Sequence, residues 1–191
     1  MMDEELTDPE LVSAFKNGDA EALGALMARH QAALYGYLLR LTRSSAAADD
    51  IFQEVFLKLV RNPAAYGERE KFKAWLFTVA RNAAMDHFRR ESSRGEVPLE
   101  GTGEKAGPAD FAVSPEPGPA ECAENKALGE TIAAALELLS PDQREVFYLR
   151  HYSGLSFREI AELLSLPIGT VLARMSRAAA QLRKILEEAG Q

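Results

Sequence analysis

Cysteine and long apolar runs are scarce in this sequence of 191 residues. Its single cysteine, Cys122, can form neither an internal disulfide nor a cysteine-based zinc site. Charged residues interrupt every apolar stretch before it reaches the roughly 18 residues that a membrane helix needs. Residues 1–5 are acidic and lack the basic and apolar regions of a signal peptide. These absences predict a cytoplasmic protein without membrane insertion or a structural metal.

The net charge of −7 is unevenly distributed along the chain. Residues 95–127 hold 7 acidic and 2 basic side chains, whereas residues 1–94 (14 and 13) and 128–191 (8 and 7) are almost balanced. Two stretches are basic: residues 71–94, with six basic against two acidic side chains, and residues 168–186, with four basic side chains and no acid. Since exposed surfaces normally mix charges of both signs, these stretches predict two places where a polyanion binds.

The central part of the chain separates two helical parts. Five prolines lie between Pro98 and Pro119, interspersed with glycines, and exclude a persistent helix or central strand there. On both sides apolar residues recur at steps of three and four, the period of an amphipathic helix. The sequence predicts an all-α protein with two small helical domains, residues 1–94 and 124–191, joined by a flexible acidic linker, residues 95–123. The predicted helices cover about residues 8–16, 19–42, 46–61, 71–91, 124–139, 141–151, 156–164 and 168–188.

The second domain carries the pattern of a helix-turn-helix. Ser156 and Glu159 form a capping box at the start of one short amphipathic helix. A turn at residues 165–167 leads to a second helix, whose apolar face we expect to consist of Ile168, Val171, Met175, Ala178 and Leu182. In such motifs the second helix enters the major groove of DNA.

Three polar side chains of that second helix, Arg174, Arg177 and Gln181, are expected to project away from Val171 and Met175. There they would meet phosphates or base edges. A plain helical hairpin with solvated arginines is the alternative. The absence of acid from residues 168–186 weakens that alternative.

Three sequence runs carry a resemblance to a known family. They are ADDIFQEVFL (48–57), WLFTVARNAAMDHFRR (75–90) and LSPDQREVFYLRHYSGLSFREIAELLSLPIGTVLARMSRA (139–178). The first resembles region 2.2 of sigma factors, the second resembles regions 2.3 to 2.4, and the third resembles region 4. Their order around an acidic linker is similar to that in the extracytoplasmic-function (group 4) sigma factors of bacterial RNA polymerase, in the sigma-70 family.

The resemblance implies a protein without catalysis of its own. It would bind core RNA polymerase, direct it to promoters by reading the −10 and −35 elements, and assist promoter melting in transcription initiation. The implied partners are the β′ and β subunits of core polymerase, promoter DNA as a duplex and as a melted non-template strand, and an anti-sigma factor. No cofactor is implied.

The resemblance also assigns residues to each contact. Binding of the β′ coiled coil falls to Asp50, Gln53, Glu54 and Phe56. Contacts with the −10 element fall to Asn62, Phe72, Asn82, Asp86, Arg89 and Arg90, and residues 62–72 correspond to the loop that holds a flipped base. Contacts with the −35 element fall to Arg158, Thr170, Leu172, Ala173, Arg174, Ser176 and Arg177.

The recognition helix departs from the family pattern at two positions. Leu172 and Ala173 stand where Lys or Arg and then Ser are usual. Neither side chain can donate a hydrogen bond, although either can contact a thymine methyl group. Ser165 also replaces a glycine that is frequent in this turn, which is tolerable if the residue does not adopt positive φ.

Aromatic residues near the start of the fourth helix have two readings. Base stacking is one, because aromatic faces bind single strands at about 1–3 kcal/mol per base. For Trp75 and Phe77 helical spacing favours core packing, whereas for Phe72 the sequence leaves both readings open.

Two other function classes fit parts of the sequence. An ordinary helix-turn-helix regulator would need only the second domain, and it would leave Asp50, Gln53 and the Arg89–Arg90 helix without a purpose. A prenyl-transfer enzyme is suggested faintly by residues 49–54, which resemble a magnesium-binding acidic motif without the second aspartate cluster. The three histidines, His30, His87 and His151, contain no i,i+4 pair, so no metal site is predicted.

Overall fold

The computed structural model describes residues 6–63, 66, 71–93, 129 and 131–189, and it divides into two compact units, Met1–Gly103 and Glu104–Gln191. Among these residues all regular secondary structure is helical and no strand occurs. The predicted all-α class is therefore confirmed. The predicted linker, residues 95–123, lies outside the described residues.

Unit 1 contains four helices: α1 (Asp8–Lys16), α2 (Ala20–Thr42), α3 (Ser45–Arg61) and α4 (Phe72–Ser93). Helix α2 lies at the centre and packs against the other three, while α3 also packs against α4. Side-chain caps fix two of the starts, because Asp19 accepts from the Glu21 N–H at 2.9 Å and Ser44 accepts from the Ala47 N–H at 3.2 Å.

The core of unit 1 follows the apolar period of its helices. One face of each long helix is buried, and the side chains that are no more than 2% exposed include Leu26, Leu34, Tyr37, Leu38, Ile51, Val55, Leu59, Leu76 and Phe77. Alanines of α4 (Ala80, Ala83 and Ala84) are at most 1% exposed and let that helix approach its neighbours closely. The packing leaves the opposite faces of α3 and α4 exposed to solvent.

Unit 2 contains α5 (residues 131–137), α6 (Pro141–His151), α7 (Phe157–Leu164) and α8 (Ile168–Ala189). Helix α8 packs against both α6 and α7. Arg144 fastens the end of α5 to α6, since its guanidinium donates to the carbonyl oxygens of Glu137 and Leu139 at 2.7 and 3.1 Å. The predicted capping box of α7 is present, with the Ser156 N–H donating to Glu159 Oε2 at 2.8 Å.

The turn between α7 and α8 differs from the expectation in one respect. Ser165 adopts φ 54° and ψ 43°, the left-handed region, so the condition for an unstrained serine is not met. This conformation lets the Leu166 N–H reach the carbonyl oxygen of Ala161 at 2.9 Å, which closes the helix end. A side chain in the left-handed region costs about 1–2 kcal/mol relative to glycine.

The expected apolar face of α8 also needs a correction. Val171, Ala178 and Leu182 are buried and Met175 is half-buried, but Ile168 is 46% exposed. Ile168 is the first residue of the helix, where helical spacing alone does not determine whether a neighbouring element covers the side chain.

Candidate protein and nucleic-acid interfaces

Helix α3 presents a mixed polar and apolar surface to solvent. Asp50 and Gln53 are exposed, and Glu54 is half-buried with its carboxylate 3.0 Å from Lys58 Nζ. Spacings of three and four residues place Asp50, Gln53 and Glu54 on one side of the helix. The first two therefore offer polar groups to a partner, while Glu54 is already engaged in an ion pair on its own helix.

Phe56 does not belong to this surface. It is 4% exposed, and its ring lies 5.0 Å from the ring of Phe52. The predicted contact between Phe56 and a partner protein is therefore corrected to a core role. The physical reason is position, because Phe56 follows the buried Val55 on the apolar side of α3.

Two apolar side chains that sequence reasoning missed do belong to the exposed side of α3. Leu57 is 48% exposed and Val60 is 46% exposed. They follow Gln53 by four and seven residues, so they share its side of the helix. We call Asp50, Gln53, Glu54, Leu57 and Val60 the α3 face. Their spacing of four and seven residues from Gln53 was a usable signal in the sequence.

The predicted −10 residues of α4 form a second exposed surface. Asn82, Asp86, Arg89 and Arg90 are all exposed and recur at helical spacing, and we call them the α4 face. Arg89 Nη1 donates to Asp86 Oδ1 at 2.7 Å while the Arg89 side chain stays 77% exposed. Arg90 Nε donates to the carbonyl oxygen of Asp86 at 3.3 Å. Asp86 thus orients two arginines on a surface that otherwise carries amide and cationic groups.

Asn62 and Phe72 flank the segment between α3 and α4. Asn62 is exposed, and its N–H closes α3 on the carbonyl oxygen of Lys58 at 3.0 Å. Phe72 is only 2% exposed, which leaves no ring face for a base and decides its open reading in favour of core packing. The predicted direct contact of Phe72 with −10 DNA is therefore corrected. Most of the flipped-base loop, residues 64, 65 and 67–70, lies outside the described residues.

An aromatic cluster surrounds Phe72. The rings of Tyr66 and Trp75 lie 5.6 and 5.8 Å from that of Phe72, and Tyr66 and Trp75 are 5.9 Å apart. Phe77 is fully buried, whereas Trp75 is half-buried. Lys16 of α1, which sequence reasoning missed, donates from Nζ to the Tyr66 carbonyl oxygen at 3.1 Å and lies 5.5 Å from its ring centre. Helix α1 therefore supports Tyr66 in the segment between α3 and α4.

His30 fastens α1 to α2. It is 5% exposed, with Nε2 2.8 Å from Asp8 Oδ2, and Arg29 Nη1 donates to the other carboxylate oxygen at 2.7 Å. Burial lowers the pKa of His30, although the charge and hydrogen bond of Asp8 oppose that shift. The histidine is thus part of a structural cluster within unit 1.

Helix α8 presents the predicted −35 side chains unequally. Leu172, Ser176 and Arg177 are exposed, while Thr170 and Ala173 are half-buried. Arg158, near the start of α7, is exposed as well. These side chains are available to a partner on the outer side of the helix-turn-helix.

Two polar side chains of α8 instead bind within unit 2. Arg174 Nη2 donates to Asp142 Oδ2 of α6, and Gln181 Nε2 donates to the carbonyl oxygen of Leu138 at 2.9 Å. The expectation that they project away from Val171 is wrong, because Arg174 and Gln181 follow Val171 by three and ten residues and so lie only about 60° and 80° from it around the helix. Arg174 and Gln181 therefore border the buried side of α8.

Groups that would hold a metal or span a membrane do not occur in the described ranges. Within residues 6–63, 66, 71–93, 129 and 131–189, no cluster of three or more His, Cys, Asp or Glu side chains could hold a metal ion. Over the same part of the chain, each helix is too short or too polar to cross a membrane.

Comparison with known proteins identifies the family. Residues 26–94 match the Sigma-70 region 2 family, and residues 129–182 match the Sigma-70, region 4 family. The chain is 35% identical over 184 residues to the ECF RNA polymerase sigma factor SigL of Mycobacterium tuberculosis, covering 94% of this chain and 97% of that protein. The chain belongs to the extracytoplasmic-function sigma factors.

Two further relatives agree with this assignment. RNA polymerase sigma factor CarQ of Myxococcus xanthus is 32% identical over 174 residues, covering 91% of this chain and 94% of that protein. The solved structure of CnrH in complex with the cytosolic domain of CnrY has a TM-score of 0.64 and 26% identity, covering 95% of this chain and 97% of that chain.

The protein is a sigma factor that directs RNA polymerase to promoters in transcription initiation. Sigma factors as a class are transcription initiation factors. In this sigma factor the α3 and α4 faces lie within the residues that match region 2. Helix α8 begins within the residues that match region 4.

Proposed function

We propose that this sigma factor binds the coiled coil of the polymerase β′ subunit through the α3 face. Protein interfaces commonly have an apolar centre with a polar rim. Leu57 and Val60 supply half-exposed apolar groups, and Asp50 and Gln53 supply exposed polar groups beside them. Full burial of a leucine side chain stabilises a complex by about 1.5–3 kcal/mol, so covering the exposed half of Leu57 would contribute about 1 kcal/mol.

The same proposal assigns −10 recognition to the α4 face. Arg89 and Arg90 are exposed cations that would hold phosphates of the non-template strand, while the exposed amide of Asn82 would pair with a base edge. Asn62 would contribute from the start of the loop that receives a flipped base. Capture of a flipped base would assist strand melting by stabilising the open strand, because a base is captured only where the duplex is already opening.

Recognition of the −35 element is assigned to the outer side of α8. Arg177 and Ser176 are exposed, Thr170 is half-buried, and Arg158 of α7 lies near the start of the motif, so these four supply the polar contacts. Leu172 and Ala173 supply apolar ones. Arg174 is not proposed as a DNA contact, since it pairs with Asp142. The β subunit of core polymerase would contact unit 2, which contains α8.

The proposed domain bounds remain residues 1–94 and 124–191, with residues 95–123 as the linker. The two promoter elements are separated by about 70 Å. An extended linker of roughly 30 residues at about 3.3 Å each can span that distance. We place the protein in the cytoplasm, where core polymerase acts.

An anti-sigma factor is the proposed regulator. The relative CnrH was solved in complex with the cytosolic domain of another protein, CnrY, which supports a protein partner of this kind. Such a partner would block the α3 face or the DNA-binding surfaces.

The observation that carries the polymerase assignment is the exposure of Asp50 and Gln53 on one side of α3. We expect Asp50→Ala with Gln53→Ala to weaken binding to core polymerase about 30-fold, because central interface contacts contribute about 2 kcal/mol or more. Binding is measured by titrating labelled full-length chain with core polymerase, and circular dichroism checks that the variant is folded.

A matched control is available on α2. Glu21 and Gln31 are also one acidic and one amide side chain, both exposed, and their alanine substitutions should leave polymerase affinity unchanged. Unchanged affinity in the folded Asp50→Ala, Gln53→Ala variant would contradict the proposed α3 contact.

The regulator alternative is tested with the free chain. Its acidic net charge opposes the counterion release that drives non-specific DNA binding, so we expect weak binding to duplex promoter in the absence of polymerase. Tight and sequence-specific binding by the free chain at physiological salt would favour an independent helix-turn-helix regulator.

A further inference from the structure

Two exposed apolar side chains lie on the first turns of α8. Ile168 is 46% exposed and Leu172 is 45% exposed, and their spacing of four residues places them on the same side of the helix. We call this pair the α8 apolar patch. Single exposed apolar residues are common on protein surfaces, but this patch lies at the end of the helix that contacts base edges in helix-turn-helix proteins.

The residues beside the patch allow close approach of a ligand. Gly169 has no side chain, and nothing lies within 4 Å of the position that a Cβ would occupy there. Ala173 contributes only a methyl group. Leu172 therefore extends beyond its neighbours on that side of the helix. A base edge that approaches α8 there would meet the α8 apolar patch before it met backbone.

The charge around the patch favours DNA over an apolar protein partner. Residues 168–186 contain no acid, and the exposed Arg177 lies on the same helix, about 140° round its axis from Leu172. A helix that carries an apolar patch, cations and no acid over these residues suits a ligand that combines phosphates with a small apolar element. In the major groove the C5 methyl group of thymine is that element, because the other groups on base edges are hydrogen-bond donors or acceptors.

We infer that Ile168 and Leu172 recognise a thymine methyl group in the −35 element, and that they thereby select thymine over cytosine at that position. The inference rests on the proposed contact of α8 with the −35 element. It assigns sequence discrimination to apolar contact at a place where a lysine or arginine would instead bind guanine or phosphate.

The test uses the full-length chain assembled with core polymerase. Duplex promoter fragments with a randomised −35 element are first selected by this holoenzyme, and we expect thymine to be enriched at one position or more. Each thymine of the selected element is then replaced singly by deoxyuridine, which removes only the methyl group. Loss of one buried methyl group, at about 0.8 kcal/mol, corresponds to binding about fourfold weaker.

The variants link this methyl effect to the patch. In Leu172→Ala the thymine and deoxyuridine fragments should bind almost equally. Leu172→Gln, which replaces the apolar side chain by an amide of similar length, should also remove the preference. Leu138 is a matched control, because it is a leucine of the same unit and is 63% exposed. Leu138→Ala should retain the fourfold difference.

The outcomes separate the inference from the proposal beneath it. If no thymine shows a methyl effect while scrambling the −35 element still weakens holoenzyme binding, the inference is overturned and the proposed −35 contact stands. The inference is also overturned if Leu172→Ala keeps the full methyl effect. If scrambling the element has no effect, the proposed −35 contact fails, and the inference fails with it.

Discussion

Arg174 allows a direct test of whether a cation on the recognition helix serves the fold or the DNA. Its guanidinium pairs with Asp142 of α6, and its side chain is only 22% exposed. We expect Arg174→Ala to lower the free energy of unfolding of unit 2. The Arg174→Ala protein should distinguish promoter fragments with altered −35 elements as well as the unaltered protein does.

The size of the effect follows from the exposure of the two partners. Exposed ion pairs contribute about 0.2–1 kcal/mol, and Arg174 lies at the upper end because most of its side chain is covered. Truncation also removes the packed alkyl stem, so the total loss should reach about 1.5 kcal/mol. Asp142 is 63% exposed and lies in the first turn of α6. A negative charge at that end of a helix stabilises the helix by about 0.3–1 kcal/mol, independently of the ion pair with Arg174.

A double-mutant cycle isolates the pair from that helix effect. The variants Arg174→Ala, Asp142→Ala and the combination are unfolded with urea, and the expected coupling energy is about 1 kcal/mol. Circular dichroism follows both units, whereas fluorescence of the single tryptophan, Trp75, follows unit 1 alone and should not change. Arg177→Ala is the matched control on α8. Its stability should stay within about 0.5 kcal/mol, since the side chain is exposed.

Binding of the same variants to promoter fragments completes the test. Arg177→Ala should lose about 1–3 kcal/mol of discrimination at one or two −35 positions, whereas Arg174→Ala should lose none. The reasoning is refuted if the coupling energy is near zero and Arg174→Ala selectively loses discrimination at a −35 position. That result would return Arg174 to the DNA contact predicted from the sequence.

Three further substitutions test other features. Ser165→Gly should stabilise unit 2 by about 0.5–1 kcal/mol in urea unfolding, because relief of left-handed strain exceeds the added backbone entropy; lower stability would contradict this. Lys16→Met removes the ammonium group that donates to the Tyr66 carbonyl. The substituted protein should distinguish promoter fragments with altered −10 elements less well, while its affinity for core polymerase stays unchanged. If it distinguishes them equally well, α1 does not support Tyr66 for −10 recognition. Because burial lowers the pKa of His30, the folded state favours the neutral ring, and unit 1 should lose stability as pH falls below about 6.5. The free energy of unfolding, followed by Trp75 fluorescence, should fall with pH in the control His87→Gln and fall less steeply in His30→Gln. Equal pH dependence in the two variants would contradict the role of His30.

The helices and their order were determined by the sequence itself. The prediction of about 8–16 coincides with Asp8–Lys16, and that of 141–151 coincides with Pro141–His151. Both rest on local physics, namely a capping residue, a proline in the first turn and apolar residues at helical spacing. The family resemblance rests on contiguous runs of sequence as well, so the function also followed without coordinates.

Tertiary packing decided which side chains remain available for contact. Phe56 and Phe72 are buried, whereas Leu57 and Ile168 are half exposed, although all four are apolar residues in helices. Helical spacing shows which residues share a side of a helix, but it does not show which neighbouring element covers that side.

The arginines of α8 show the same limit for long polar side chains. Arg174 and Arg177 lie one turn apart, yet the first pairs with Asp142 and the second stays exposed. The difference arises because α6 packs beside Arg174 and brings Asp142 to it. Arg174 and Asp142 are 32 residues apart in the sequence. A pairing across that separation depends on the packing of two helices, so only the tertiary structure decided it.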